Sequence, residues 1–207
     1  MRRVSFIVAA MLAIGTVSAE AQTPVLVLGP YAEFTTGGAG HGALLGGEVG
    51  ASRSSWDFFF EFGRMLNTRT SDMETAATLI ATALGSGVTA EAKQPVTYFD
   101  VGARYKFPTS GRVQPYAGLG IGGARVSRSV SFALNGNDIT AQLVALGVQL
   151  GGDLSGSEGG ALVTLGGGAE IPLPSRFFLD LSYRYAHVWA GDGVNTNRFQ
   201  VGIGARF

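Results

Sequence analysis

Gln200-Val201-Gly202-Ile203-Gly204-Ala205-Arg206-Phe207 closes the sequence. At period two, Val201, Ile203, Ala205 and Phe207 fall on one face of a strand, and Gln200, Gly202, Gly204 and Arg206 fall on the other. Chain ends usually fray in water, so an apolar strand at a terminus is expected to be tied down by pairing.

The segments before it carry the same signature. Phe177, Leu179, Leu181, Tyr183 and Tyr185 oppose Asp180, Ser182 and Arg184. Upstream of the turn Pro172-Leu173-Pro174-Ser175, Val163, Leu165, Ala169 and Ile171 oppose Thr164, Gly166, Gly168 and Glu170. A strand over residues 116–126, continuing to Phe132, sets Ala117, Leu119 and Ile121 against Gly118, Gly120 and Gly122. Phe99, Val101, Ala103, Tyr105 and Phe107 oppose Tyr98, Asp100, Gly102, Arg104 and Lys106. Trp56, Phe58, Phe60 and Phe62 alternate with Asp57, Phe59, Glu61 and Gly63, after a tight turn at 52–55. Strands over 25–34 and 43–51, separated by a Gly-rich reversal at 35–42, complete the set.

Two stretches break the alternation. Within 67–95, Met73, Ala76, Ala77, Ile80 and Leu84 follow helical spacing, with Ser71 or Asp72 as N-cap and Gly85 as stop. Within 135–160, Asn135-Gly136 signals a hairpin, residues 139–150 read as part of a long loop, and 151–160 read as loop. Counting 139–150 as a spanning strand would make the number odd, which single-chain bacterial barrels avoid. The expectation is an all-β fold: about eight antiparallel strands in an up-and-down transmembrane barrel with two long extracellular loops. Connections after strands two, four and six are tight and those after three and five are long, so short turns share one end.

Composition agrees. The chain has 207 residues, 32 of them Gly, with 46% apolar and only 14% charged residues, which is unlike an ordinary soluble domain. No run of eighteen apolar residues follows the N-terminus, so a helical span is not expected there. Zero net charge argues against a nucleic-acid partner, and the lack of Cys rules out disulfides and thiolate metal sites. Arg2 and Arg3, an apolar run over 4–17, and Ala19-Glu20-Ala21 form a signal peptide over 1–21, leaving 22–207 as the barrel domain.

Several segments resemble the small outer-membrane barrel family that includes the OmpA transmembrane domain, OmpX and neisserial opacity proteins. They are Pro115-Tyr116-Ala117-Gly118, Leu181-Ser182-Tyr183-Arg184-Tyr185 and the terminal 200–207. Within the last, Gln200, Gly202, Ala205 and Phe207 match the C-terminal assembly signal of such barrels. The resemblance implies an outer-membrane location, outer-membrane lipid and lipopolysaccharide as surroundings, and the barrel assembly machinery as a partner. It also implies a monomer whose loops could meet an extracellular ligand.

The remaining chemistry lies on the inward face. Glu48, Glu61, Asp100, Arg104, Lys106, Glu170, Asp180, Arg184 and Arg206 are expected to form a lumen network of mixed charge, because neither sign alone tolerates so narrow an interior. The alternative is a narrow, low-conductance channel through those pairs. Gly118, Gly120 and Gly123 have G-x-G-x-x-G spacing but lack the strand-turn-helix setting of a dinucleotide site. Lipid A 3-O-deacylases, also small barrels, carry a Ser two residues after a His; here Trp189 follows His187 at that spacing, so the nucleophile is missing. His187 then reads as part of an interfacial girdle, and His41 as a loop residue. No catalytic residue, cofactor or metal is expected, and the role is structural or surface-interactive. A soluble carrier barrel would reverse the faces, placing the apolar one inside.

Overall fold

The computed structural model describes residues 43–145, 150–152 and 154–206, together with the backbone of Thr23–Tyr31. The expected signal peptide, the end of the first strand at 32–34, the reversal at 35–42 and Phe207 lie outside the described residues. The strands are β1 (Thr23–Tyr31), β2 (Leu44–Arg53), β3 (Trp56–Met65), β4 (Val88–Lys93), β5 (Val96–Lys106), β6 (Gln114–Leu134), β7 (Asn137–Asp138), β8 (Gly156–Pro172), β9 (Phe177–Trp189) and β10 (Val194–Arg206). The helices are α1 (Ser71–Leu84) and α2 (Thr140–Ala145).

Eight strands pair in the ring β1-β2-β3-β5-β6-β8-β9-β10, every pair antiparallel, and the ring closes where Val25, Leu26 and Val27 meet Arg206, Ala205 and Gly204. The register advances steadily around it. From Val25 the pairing leads through Gly50, Phe59, Gly102, Gly120, Thr164 and Ala186 to Thr196, ten positions from Arg206, the residue that faces Val25 directly. Eight strands with a stagger of ten tilt ~40–45° from the axis and enclose an interior that side chains fill.

The alternation decides which face meets lipid. Leu45, Val49, Phe58, Phe62, Phe99, Val101, Leu119, Ile121, Leu165, Leu181, Val201 and Ile203 all point outward, between 40% and 60% exposed. Glu61, Asp100, Arg104, Glu170, Asp180 and Arg198 point inward and are at most 2% exposed. An apolar band on the seven ring strands whose side chains are described, around a charged interior, is the arrangement of a membrane barrel and the reverse of a soluble carrier.

Three short connections lie at one end: between β2 and β3, β5 and β6, and β8 and β9. Ser54 and Ser175, at φ 54° and 71°, make two of them tight. At the opposite end β6 runs 21 residues, about twice what a tilted span needs. Its outward face changes from Leu119, Ile121 and Gly123 to Arg125, and then to Ser127, Ser129 and Ser131. The strand therefore leaves the hydrocarbon near Arg125 and continues into water.

What it supports there is a folded cap. β4 pairs with Ser129–Leu134 of β6, and α1 packs on β4. Met73, Ala77, Ala81, Ala92, Val130, Phe132, Leu143 and Leu154 form a small apolar core separate from the barrel. Asn135 and Gly136, at φ 50° and 86°, make the hairpin into β7, where only a residue tolerant of positive φ fits without strain. Three expectations are corrected. The N-cap of α1 is Thr70, whose hydroxyl accepts the Met73 N–H at 3.3 Å. Residues 88–93, expected as loop, are a strand, and so are 156–160, which extend β8 upward against Ser127 and Arg128. Replacing Thr70 by Ala is expected to lower α1 stability by ~1 kcal/mol. Amide exchange should then quicken over Ser71–Leu84 while the barrel strands stay protected.

Candidate functional site

The lumen is layered. Next to the cap, Leu44, Met65, Val96, Val126, Leu162, Val188 and Val194 are buried together as an apolar plug. Beneath them lies a charged layer that crosses the barrel. Arg184 of β9 pairs with Glu61 of β3 and reaches Glu48 of β2 at 3.3 Å. Arg104 of β5 pairs with Glu48 and lies 3.4 Å from Asp180. Glu61 also accepts the Tyr98 hydroxyl at 2.6 Å, and Arg198 of β10 sits 3.4 Å from Glu61 and 2.8 Å from the Tyr98 oxygen. Tyr116 donates to Asp180 at 2.8 Å, and Thr164 to Asp100 at 2.7 Å. Toward the short-turn end, Lys106 joins Asp57 at 2.8 Å and Glu170 at 3.7 Å, and Arg206 also pairs with Glu170.

Aromatic rings cover the cations. Phe59 lies 4.7 Å from the Arg104 guanidinium carbon and 5.4 Å from that of Arg184, and Phe178 lies 4.6 Å from that of Arg206. Such faces stabilise charge that water cannot reach. A void lined by Phe59, Arg104, Tyr116, Thr164 and Arg184 measures ≈ 10 Å³, which is room for about one water. The nine sequence-expected lumen residues thus all face inward, eight in mutual ion pairs and Asp100 on Thr164.

Glycine makes this filling possible. A Cβ on Gly63 would stand 2.8–2.9 Å from the Tyr98 ring and hydroxyl, and one on Gly120 would stand 2.6 Å from both the Asp100 carboxylate and the Thr164 hydroxyl. Gly118 and Gly120 therefore face the lumen and Gly123 faces outward, all three inside one strand. That is no cradle for a phosphate.

The other candidate surface is the cap. Its base is tied by Thr68, whose N–H and hydroxyl each donate to the Gln94 carbonyl at 2.8 Å, and by the Phe132 N–H on the Thr140 hydroxyl at 2.8 Å. Away from its core, Leu79 of α1 is 65% exposed and Val144 of α2 is 61% exposed.

Residues 6–207 match the family described as outer membrane protein beta-barrel domain. The chain belongs to this family. It is an outer-membrane barrel, and its solved structural relatives share the fold at low identity. Neisserial surface protein A aligns with a TM-score of 0.57 and 15% identity, over 91% of this chain and 100% of that one. A major outer membrane protein from Thermus thermophilus aligns with 0.55 and 10%, over 91% and 100%. Ail, the attachment invasion locus protein of Yersinia pestis, aligns with 0.48 and 17%, over 91% and 99%. No curated protein matches the sequence.

In an outer-membrane barrel the short turns lie on the periplasmic side, so the cap is extracellular. His187 points outward near the extracellular rim, with its Nδ1 2.6 Å from the Asn195 Oδ1 and its ring edge-on to Trp189 at 4.5 Å. His41 lies outside the described residues. Of the assembly-signal positions, Gln200 and Gly202 face the lumen, Ala205 pairs with Leu26 at the barrel closure, and Phe207 is outside the described residues. Sequence reasoning missed Arg198, Tyr98, Tyr116 and Asp57 as members of the network. Arg198 shares the period-two face of Gln200 and Gly202, so its inward direction was readable; its reach to Glu61 across the lumen was not.

Proposed function

We propose that this outer-membrane barrel is a non-catalytic surface-interaction protein whose sealed barrel carries an extracellular binding platform. The observation behind this reading is the cap: two long loops, joined through β4, β6, α1 and α2, share an apolar core of their own. Loops without such a role need no core above the membrane. Exposed Leu79 and Val144 give the platform apolar contact points in water. The filled lumen supports the barrel as an anchor rather than a pore.

Cells displaying the full chain are expected to bind solid surfaces or immobilised glycoproteins. Binding should be lost when residues 71–94 are replaced by a short Gly-Ser linker in a variant that still migrates as a heat-modifiable barrel. Unchanged binding by that variant would remove the platform from the account. In planar bilayers the refolded protein is expected to show no stable conductance steps, and reproducible steps would favour the channel. Incubation with lipopolysaccharide is expected to release no fatty acid.

A further inference from the structure

The lumen does not balance its own charge. Among the described residues, the inward carboxylates below the plug are Glu48, Asp57, Glu61, Asp100, Glu170 and Asp180, and the inward cations are Arg104, Lys106, Arg184, Arg198 and Arg206. Arg128 and Glu158, paired near the mouth, cancel each other, and β1 carries no charged residue. One negative charge is left over.

Its place is set by the register. Glu48 faces Glu61 directly across β2 and β3, and Glu61 faces Asp100 directly across β3 and β5, so three carboxylates stand side by side on the inner wall. Like charges directly opposite one another destabilise a sheet. Arg104 and Arg184 pair with Glu48, and Arg184 and Arg198, reaching in from β9 and β10, pair with Glu61. Asp100 makes no ion pair among the described residues. Its Oδ2 accepts the Thr164 hydroxyl at 2.7 Å, while its Oδ1 is buried without a hydrogen-bond partner, and the residue is 0% exposed. On β6 the wall beside it is Gly122, directly opposite, and Gly120, where an added Cβ would stand 2.6 Å from the Asp100 carboxylate. No side chain there supplies the missing charge. Tyr98, on the same strand, gives its hydroxyl to Glu61.

A buried carboxylate is held only if it is paired or neutralised. We propose that the Glu61–Asp100 carboxylate pair binds one small monovalent cation, H⁺ or Na⁺, at the unpartnered Asp100 oxygen. The cation enters as the barrel forms and stays in it, because the apolar plug closes the lumen toward the cap and the nearby void admits about one water. Folding then takes up one cation that the unfolded chain does not hold. The site belongs to the barrel and is independent of the binding role of the cap.

The test is urea unfolding of the refolded full chain in vesicles. One bound cation changes the folding equilibrium constant by ~10-fold for each tenfold change in its activity. In one arm choline replaces Na⁺ at fixed ionic strength and pH, and a loss of that size assigns Na⁺. In the other the pH is raised from about 5 to 7, above the range in which free carboxylates ionise. Stability that falls by that factor per pH unit, without regard to Na⁺, assigns the proton. Asp100→Asn, neutral and of similar shape, should fold at least as well as the wild type and lose the response. Asp100→Ser replaces it where the Asn variant does not fold. Asp180→Asn removes a charge from Arg104 and Tyr116, and should weaken folding ~10–100-fold while keeping the response. A wild type whose response to both Na⁺ and pH is no larger than that of the Asp100 variant would overturn the site. So would Asp100 variants that are all as unstable as Asp180→Asn.

Discussion

Replacing Glu61 by Ala is expected to destabilise the barrel by ~3–5 kcal/mol, the scale of removing one partner from a buried ion pair. Glu61 is fully buried and receives Arg184, Arg198 and the Tyr98 hydroxyl. Arginine does not shed its charge in proteins. Without the carboxylate, Arg184 keeps Glu48 at 3.3 Å as its ion-pair partner among the described residues and the Phe59 ring at 5.4 Å, in an interior whose nearby void admits about one water. Solvent therefore offers little replacement. Urea unfolding of the refolded protein in vesicles, followed by Trp fluorescence and gel migration, measures the loss. Glu61→Gln keeps an acceptor for Tyr98 and should cost less than Ala. Changing Glu61, Arg184 and Arg198 together to Leu, Met and Met should recover much of the stability, because well-packed apolar groups can replace a buried charge cluster. A Glu61→Ala cost below ~1 kcal/mol, the level of an exposed pair, would show that the lumen is hydrated.

The barrel is legible in the sequence because its two faces differ in chemistry at period two, and a one-residue slip would exchange them. Glu48, Glu61, Asp100, Arg104, Glu170, Asp180 and Arg184 each sit between apolar or small neighbours, so each declares its side. Partners across the lumen are less legible. The contacts of Arg184 with Glu61 and Glu48 depend on the stagger of ten residues summed around the ring, and no local pattern encodes that sum. The cap is harder still. In β4, Val88, Ala90 and Ala92 do alternate with Thr89, Glu91 and Lys93, but Ala, Glu and Lys are weak strand formers and hide the pattern. In 156–160, Gly-Ser-Glu-Gly-Gly has no apolar face, and its extended form comes from pairing with β6. Tertiary contact, not local preference, decides both.

Arginine substitutions along one strand should measure where the membrane ends. On β6, Ile121→Arg is expected to cost ~2–4 kcal/mol and Ser127→Arg ~0–1 kcal/mol, following the depth dependence of charge on a lipid-facing wall. Ile121 is 58% exposed on the apolar band, flanked across its strand pairs by Val101 and Val163, so an arginine there must bend away or draw water inward. Ser127 lies one outward step beyond Arg125, where the native chain already places a guanidinium. The gradient should appear in vesicle unfolding midpoints and in the fraction reaching the heat-modifiable form. A large cost at Ser127 would move the boundary above Arg125 and leave that arginine inside hydrocarbon. A negligible cost at Ile121 would mean the outward face does not meet lipid at all. The expected steep fall between these positions, only six residues apart on one strand, would put Arg125 at headgroup depth, where its guanidinium meets water and polar groups instead of hydrocarbon.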